Sequence, residues 1–144
     1  MHTPSGLAVR VAQLQAELMR ATRKRLDHHG IKLHYRQVQA LRLLRVCGAM
    51  SAGELARSLG HDSGGMTRLL DRLEERGLLE RHADPSDRRS LCIRPTAAGL
   101  ALGERLGAIG DEVLAQALRG FSVPEQQSLL DCLERMLAAL REAH

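Results

Sequence analysis

Two short stretches of this 144-residue chain carry side chains suited to holding a polyanion. The first is Asp84-Pro85-Ser86-Asp87, followed directly by Arg88 and Arg89. Asp, Pro and Ser favour a tight turn, so the two arginines sit side by side at its tip. Adjacent guanidinium groups repel unless something anionic relieves them. Asp84 or Asp87 can neutralise one, which leaves the other for a phosphate or a narrow minor groove. The second stretch is Asp62-Ser63-Gly64-Gly65, with Thr67 and Arg68 close behind. Gly64 and Gly65 weaken a helix start, yet they remove side-chain bulk where backbone amides can approach a phosphate. Arginine reads guanine with two parallel hydrogen bonds, and threonine meets the thymine methyl group. Spacing alone leaves a second reading open, in which Arg68 and Arg72 pair with Asp71 and Glu75 along a solvated helix.

These residues need a scaffold, and hydrophobic periodicity supplies one. Leu7, Val11, Leu14, Leu18 and Leu26 stripe a long helix over residues 7–28, stopped at Gly30. Val38, Leu41 and Leu44 predict a second helix over 35–46, broken by Cys47-Gly48-Ala49. Ser51-Ala-Gly-Glu54 reads as a capping box that opens a short helix burying Leu55 and Leu59 and ending at Gly60. Asp62 or Ser63 caps the next helix, which turns Met66, Leu69, Leu70 and Leu73 inward and stops at Gly77. Two short helices joined by so few residues form a helix-turn-helix.

The period then shortens. Leu79-Glu80-Arg81-His82 and Leu91-Cys92-Ile93-Arg94 predict the strands of a hairpin around the arginine turn, which makes it a wing. Thr96 caps a further helix striped by Leu102, Leu106, Ile109 and Val113. Gly103, Gly107 and Gly110 either weaken that helix, by about 1 kcal/mol each relative to Ala, or admit the close approach of another helix. Ser122-Val-Pro-Glu125 is a second capping box, opening a last helix striped by Leu129, Leu133, Met136, Leu137 and Leu140. The expected fold is mainly α with a small β-hairpin wing. A winged helix-turn-helix lobe covers residues 34–95 of a single domain, 1–144. The helices of residues 1–30 and 96–144 have too little core of their own, and a second copy of the chain is the economical partner.

Composition narrows the function further. Tyr35 and Phe121 are the only aromatics, so stacking of unpaired bases on aromatic platforms is nearly excluded. The net charge is +4, and its distribution says more. Residues 1–61 hold ten Lys/Arg against three Asp/Glu, residues 62–94 hold seven of each, and residues 95–144 hold four against seven. A basic face toward a polyanion follows from that asymmetry. Cys47, Cys92 and Cys132 form neither a disulfide framework nor a C-x-x-C metal pair, and are read as reduced thiols. His28, His29 and His34 with Asp27 offer metal-ligand atoms, but adjacent histidines on a helix diverge by about 100° and no metal site is expected. No apolar run approaches a membrane span, no secretory h-region opens the chain, and the expected location is the cytoplasm. No G-x-x-x-x-G-K-[ST], H-E-x-x-H or G-x-S-x-G pattern occurs, so neither enzymatic activity nor a cofactor is expected.

One family resemblance runs over residues 30–100. Asp62-Ser-Gly-Gly-Met-Thr-Arg-Leu-Leu-Asp-Arg-Leu-Glu-Glu-Arg-Gly-Leu-Leu-Glu-Arg81 resembles the recognition helix and first wing strand of the multiple antibiotic resistance regulator (MarR) family. Asp84-Pro-Ser-Asp-Arg-Arg89 is similar to that family's wing signature. Thr96-Ala-Ala-Gly99 resembles the Leu-Thr-x-x-Gly that follows it, with Pro95 in place of the leucine. Leu33-His-Tyr-Arg-Gln37-Val-Gln-Ala-Leu41-Arg-Leu-Leu44 resembles the opening of its second helix, with His34 where threonine is usual.

The resemblance implies an obligate homodimer with interleaved terminal helices, reading a pseudo-palindromic operator in double-stranded DNA. It assigns Ser63, Gly64, Gly65, Thr67 and Arg68 to bases and phosphates. Arg89 would be the wing-tip residue, positioned by Asp87, with Arg88 near the DNA backbone. It further implies a repressor released by a small aromatic or phenolic acid, bound between the dimer helices and the winged lobe. The implied contacts are Thr67, Arg72 and Arg81, with His34, Tyr35 and Arg36 near the same crevice. Alternatives are a winged-helix module that binds proteins instead of DNA, and a thiol- or metal-responsive variant of the same regulator.

Overall fold

A computed structural model describes residues 4–87 and 89–143, with the backbone alone for Pro4, Ser5 and Ser63. The chain falls into two compact units that divide between Asp111 and Glu112.

In the first unit, α1 (Pro4–His28) begins slightly ahead of its apolar stripe. It ends as predicted, where Gly30 takes a φ of 67° and the Ile31 N–H returns to the Leu26 carbonyl at 2.9 Å. In α2 (Tyr35–Cys47), Val38, Ala40, Leu41 and Leu44 are buried, and the Gln37 Oε1 accepts from the His34 N–H at 2.8 Å. Next comes β1 (Met50–Ser51), a strand that the sequence did not announce. Ser51 also caps α3 (Ala52–Leu59), its Oγ accepting from the Glu54 N–H at 3.1 Å. The reciprocal Glu54 bond of the predicted capping box is absent among the described residues, and Ser51 instead pairs with Cys92 in the sheet. Gly60 closes α3 in the left-handed conformation. Asp62 then caps α4 (Ser63–Glu75), accepting from the Gly65 N–H at 2.6 Å.

The hairpin consists of β2 (Leu79–Ala83) and β3 (Leu91–Pro95), paired from Leu79↔Pro95 to Ala83↔Leu91. The expected two-stranded wing is in fact a three-stranded antiparallel sheet, ordered β1-β3-β2, because Met50 and Ser51 pair with Ile93 and Cys92. A two-residue strand has no alternation to betray it.

One core joins these elements. Leu26, Leu41, Leu44, Leu55, Leu73, Leu79, Ile93 and Leu106 lie in a single buried cluster. The Gly103 question is settled by α5 (Ala97–Ala117), which packs its glycine face on α2. A Cβ at Gly103 would lie 3.1 Å from the Leu41 carbonyl, and one at Gly110 would lie 2.6 Å from the Arg42 guanidinium. At the start of α5, the Thr96 Oγ1 donates to the Gly77 carbonyl at 2.6 Å and accepts from the Gly99 N–H at 3.1 Å. Gly99 lies so close that a Cβ there would come 1.9 Å from the Leu78 carbonyl oxygen. The end of the wing is thereby held against its own beginning.

The second unit contains α6 (Val123–Glu142), opened by the predicted capping box. Ser122 Oγ accepts from the Glu125 N–H at 3.2 Å, and the Glu125 carboxylate accepts from the Ser122 N–H at 3.0 Å. Those bonds hold the Glu125 carboxyl below the usual carboxylate range. Despite its apolar stripe, α6 has no buried residue, and Leu129, Leu133, Met136, Leu137 and Leu140 are 40–63% exposed. Leu7, Val11 and Leu14 of α1 are exposed as well. No helix among the described residues is long and apolar enough to cross a membrane.

Backbone oxygen cannot rotate out of the way as a side chain can. Gly99→Ala should therefore cost about 1–3 kcal/mol or more. Leu73→Ala, which leaves a cavity in the core, should cost about 2–5 kcal/mol. Urea unfolding of both variants beside the unmodified chain measures the two losses.

Candidate nucleic-acid interface

The geometry of α4 decides which of its side chains meet solvent. Met66, Leu69, Leu70 and Leu73 are buried, so Gly64, Thr67, Arg68 and Arg72 lie on the outer face. Arg68 and Arg72 have no ion pair or side-chain hydrogen bond among the described residues, and the predicted alternative pairing with Asp71 and Glu75 is not seen. The acidic partner Asp71 is engaged elsewhere. Gly64 needs no absent side chain for the fold itself, because a Cβ there would meet only the Asp62 carboxylate, at 3.7 Å. Gly65 is tighter, at 3.1 Å from the same oxygen. Ser63 opens the helix, but its side chain lies outside the described residues.

The wing turn uses its acids differently from the expectation. Asp84 accepts from the Ser86 N–H at 2.9 Å and the Ser86 hydroxyl at 2.7 Å. Those bonds, the backbone one first, hold its carboxyl below the usual range. Asp87 accepts from the Arg89 N–H at 3.0 Å and from the Ser90 hydroxyl at 3.3 Å. Neither carboxylate neutralises an arginine among the described residues. Asp87 fixes Arg89 through its backbone, and the exposed Arg89 guanidinium has no partner there. Arg88 lies outside the described residues.

A cleft of about 240 Å³ runs between α2, the α3–α4 turn and α4. Its walls are His34, Arg36, Gln37, His61, Gly65, Arg68, Leu69 and Arg72. Three residues expected near an effector, His34, Arg36 and Arg72, thus meet two expected at DNA, Gly65 and Arg68. Arg36 is already engaged, since its guanidinium donates to the Leu59 carbonyl. Tyr35 lines a different cavity of about 110 Å³ with Met19, Arg20, Arg23 and Leu26. Arg81 is not at the cleft either. It clamps β2 to α4, donating to Asp71 at 2.6 Å and to Glu74 at 2.9 Å. The Glu74 and Asp71 bonds raise the Arg81 pKa further, and the Arg81 bond holds the Glu74 carboxyl below its ordinary value. Gln37 and His61 were missed in the cleft, because Gln37 looks like a helix-opening residue and His61 like a linker until α2 and α4 are docked.

Comparison with known proteins agrees with this architecture. The MarR family model matches residues 33–91, which hold α2 to the start of β3. A solved probable transcriptional regulator from Pseudomonas aeruginosa is 32% identical, with 91% of this chain and 95% of that one covered and a TM-score of 0.69. The chain belongs to the MarR family. A Bacillus subtilis (strain 168) relative, the uncharacterized HTH-type transcriptional regulator YcgE, is 36% identical over 85 residues. That alignment takes in 52% of this chain and 55% of YcgE, about half the relative's length. NadR, solved in complex with 4-hydroxyphenylacetate, is 27% identical, with 94% of this chain and 97% of NadR covered and a TM-score of 0.80.

Two predictions follow from the geometry of this MarR lobe. Gly64→Ala should raise thermal stability, by up to about 1 kcal/mol, because the added methyl has room and favours the helix. Any loss of nucleic-acid affinity in that variant then reports a close external approach, read by melting and filter binding in parallel. Arg81→Ala should cost at most about 1 kcal/mol of global stability, as partly exposed pairs do. Amide exchange in β2 should nevertheless rise. The lowered Glu74 pKa sets the sign with pH: the clamp is complete above the unfolded carboxyl value near 4.3, and loosens as pH falls below it. Hydrogen exchange at neutral and acid pH measures both effects.

Proposed function

We propose that this chain is a homodimeric transcriptional regulator that binds double-stranded DNA in the cytoplasm and represses by occupying a pseudo-palindromic operator. One observation carries the reading. The exposed face of α4 and the wing turn present Arg68, Arg72 and Arg89 without internal partners among the described residues. Ser63, Gly64, Gly65, Thr67 and Arg68 would face the major groove, with Arg88 and Arg89 at the neighbouring backbone or minor groove and Asp87 setting the tip. The transcriptional-regulator names of YcgE and the Pseudomonas aeruginosa protein support this.

The dimer reading rests on the terminal helices, residues 1–30 and 96–144, which flank the lobe of 34–95. The apolar stripes of α1 and α6 are exposed in a single chain, and each needs a partner surface. Two-fold symmetry then places half-sites about one helical turn apart. Release by a small aromatic or phenolic acid is supported by the NadR complex. The candidate contacts for that acid are His34, Arg36 and Arg72 at the cleft, with Thr67 beside them on α4; Tyr35 and Arg81 sit at other places.

Arg89→Ala should weaken duplex binding across sequences, and Arg68→Ala should relax base preference, each by about 1–3 kcal/mol. Binding isotherms on a selected and a scrambled duplex, repeated over a salt series, separate the two. Unchanged affinity for Arg89→Ala at physiological salt would remove the wing from the interface. Sedimentation with a dilution series tests the dimer, and a folded monomer at low concentration contradicts it.

A further inference from the structure

Given the duplex binding proposed above, we infer that the cleft between α2 and α4 seats one phosphate of the DNA backbone, with Gln37 and Arg72 as its donors. The lining explains the choice of ligand. It contains two free guanidinium groups, Arg68 and Arg72, two imidazoles, His34 and His61, and no carboxylate. The acids nearby are engaged: Asp62 accepts from the Gly65 N–H at 2.6 Å, and Asp71 accepts from Arg81 at 2.6 Å.

Gln37 adds an independent sign. The residue is only 8% exposed, and its Oε1 is fixed by the His34 N–H at 2.8 Å. The amide end, Nε2, is left at the cleft wall with no acceptor among the described residues. A donor open at the cleft wall in that position can meet an oxygen from outside. The space suits a compact head: at about 240 Å³ it lies below the range typical of drug-sized ligands, and its one apolar side chain, Leu69, is itself buried. An oxyanion finds forked guanidinium donors.

The location selects the source. Gly65 and Arg68 belong both to the cleft and to the outward part of α4, so a phosphate seated here would fix the register of that helix in the groove. The carboxylate of a free acid has the same chemistry and would have to displace that phosphate.

The test uses the full chain, a duplex selected from a random pool, and the variants Gln37→Glu and Arg72→Gln. Gln37→Glu keeps the oxygen that accepts from His34 and replaces the donor by a negative oxygen; Arg72 is exposed, so Arg72→Gln reports even if the first variant fails to fold. Each variant should lose about tenfold or more in affinity, equally for selected and scrambled duplexes, and Arg72→Gln should flatten the salt slope by about one unit. A single neutral methylphosphonate, moved along the duplex, should weaken the wild-type chain at one position per half-site and leave the variants unaffected there. Wild-type affinity and slope in both variants would overturn the phosphate seat while leaving DNA binding intact. Loss of benzoate or inorganic phosphate binding by NMR, with duplex binding unchanged, would likewise overturn it and give the cleft to a free anion. A wild-type chain that binds no duplex would bring down the functional reading and the seat together.

Discussion

Everything that this lobe presents outward depends on how α4 is seated inward. Met66, Leu69, Leu70 and Leu73 fall on one face because a helix turns 100° per residue, and all four are buried. The opposite face then has to hold Gly64, Thr67, Arg68 and Arg72. The polar face is a by-product of core packing. The same core receives Leu79 and Ile93 from the wing sheet, so the outer face of α4 and the wing are indexed to a single apolar cluster. Thr96 and Gly99 complete the arrangement by tying the end of the hairpin to Gly77 and Leu78.

Electrostatics follows from the same placement. Residues 62–94 carry seven basic and seven acidic residues, a neutral stretch by count. Six of the seven acids are occupied within the fold: Asp62, Asp84 and Asp87 accept from backbone N–H groups, Asp71 and Glu74 hold Arg81, and Glu80 meets His82. Arg68, Arg72 and Arg89 are left without such partners among the described residues. A neutral segment thus shows a positive face. The effect is geometric, since Asp62, Asp84 and Asp87 are used where a helix start or a turn leaves a free amide, and Asp71 and Glu74 are used across to Arg81.

The terminal helices show the opposite situation. In α6 a complete capping box fixes the first turn, yet none of its residues is buried. Local hydrogen bonding can start a helix, but it cannot supply the apolar surface that the stripe requires. The exposed leucines of α1 and of α6 each leave an apolar stripe uncovered, which is the physical ground for the proposal that a second copy covers them.

Much of this was legible in the sequence because it is local. Helix periodicity, the caps at Ser51, Asp62 and Ser122, the stops at Gly30, Gly60 and Gly77, and the arginine turn all depend on neighbours within a few residues. Tertiary structure decided what distant segments do to one another. It drew Met50 and Ser51 into a third strand, gave Gly103 and Gly110 their role beneath α2, and took Arg81 from an expected ligand contact to a clamp between β2 and α4. It also brought Gln37 and His61 to the same cleft as Arg68 and Arg72. Sequence spacing fixes which way a side chain leaves its own helix; only the docking of a second helix determines what it meets.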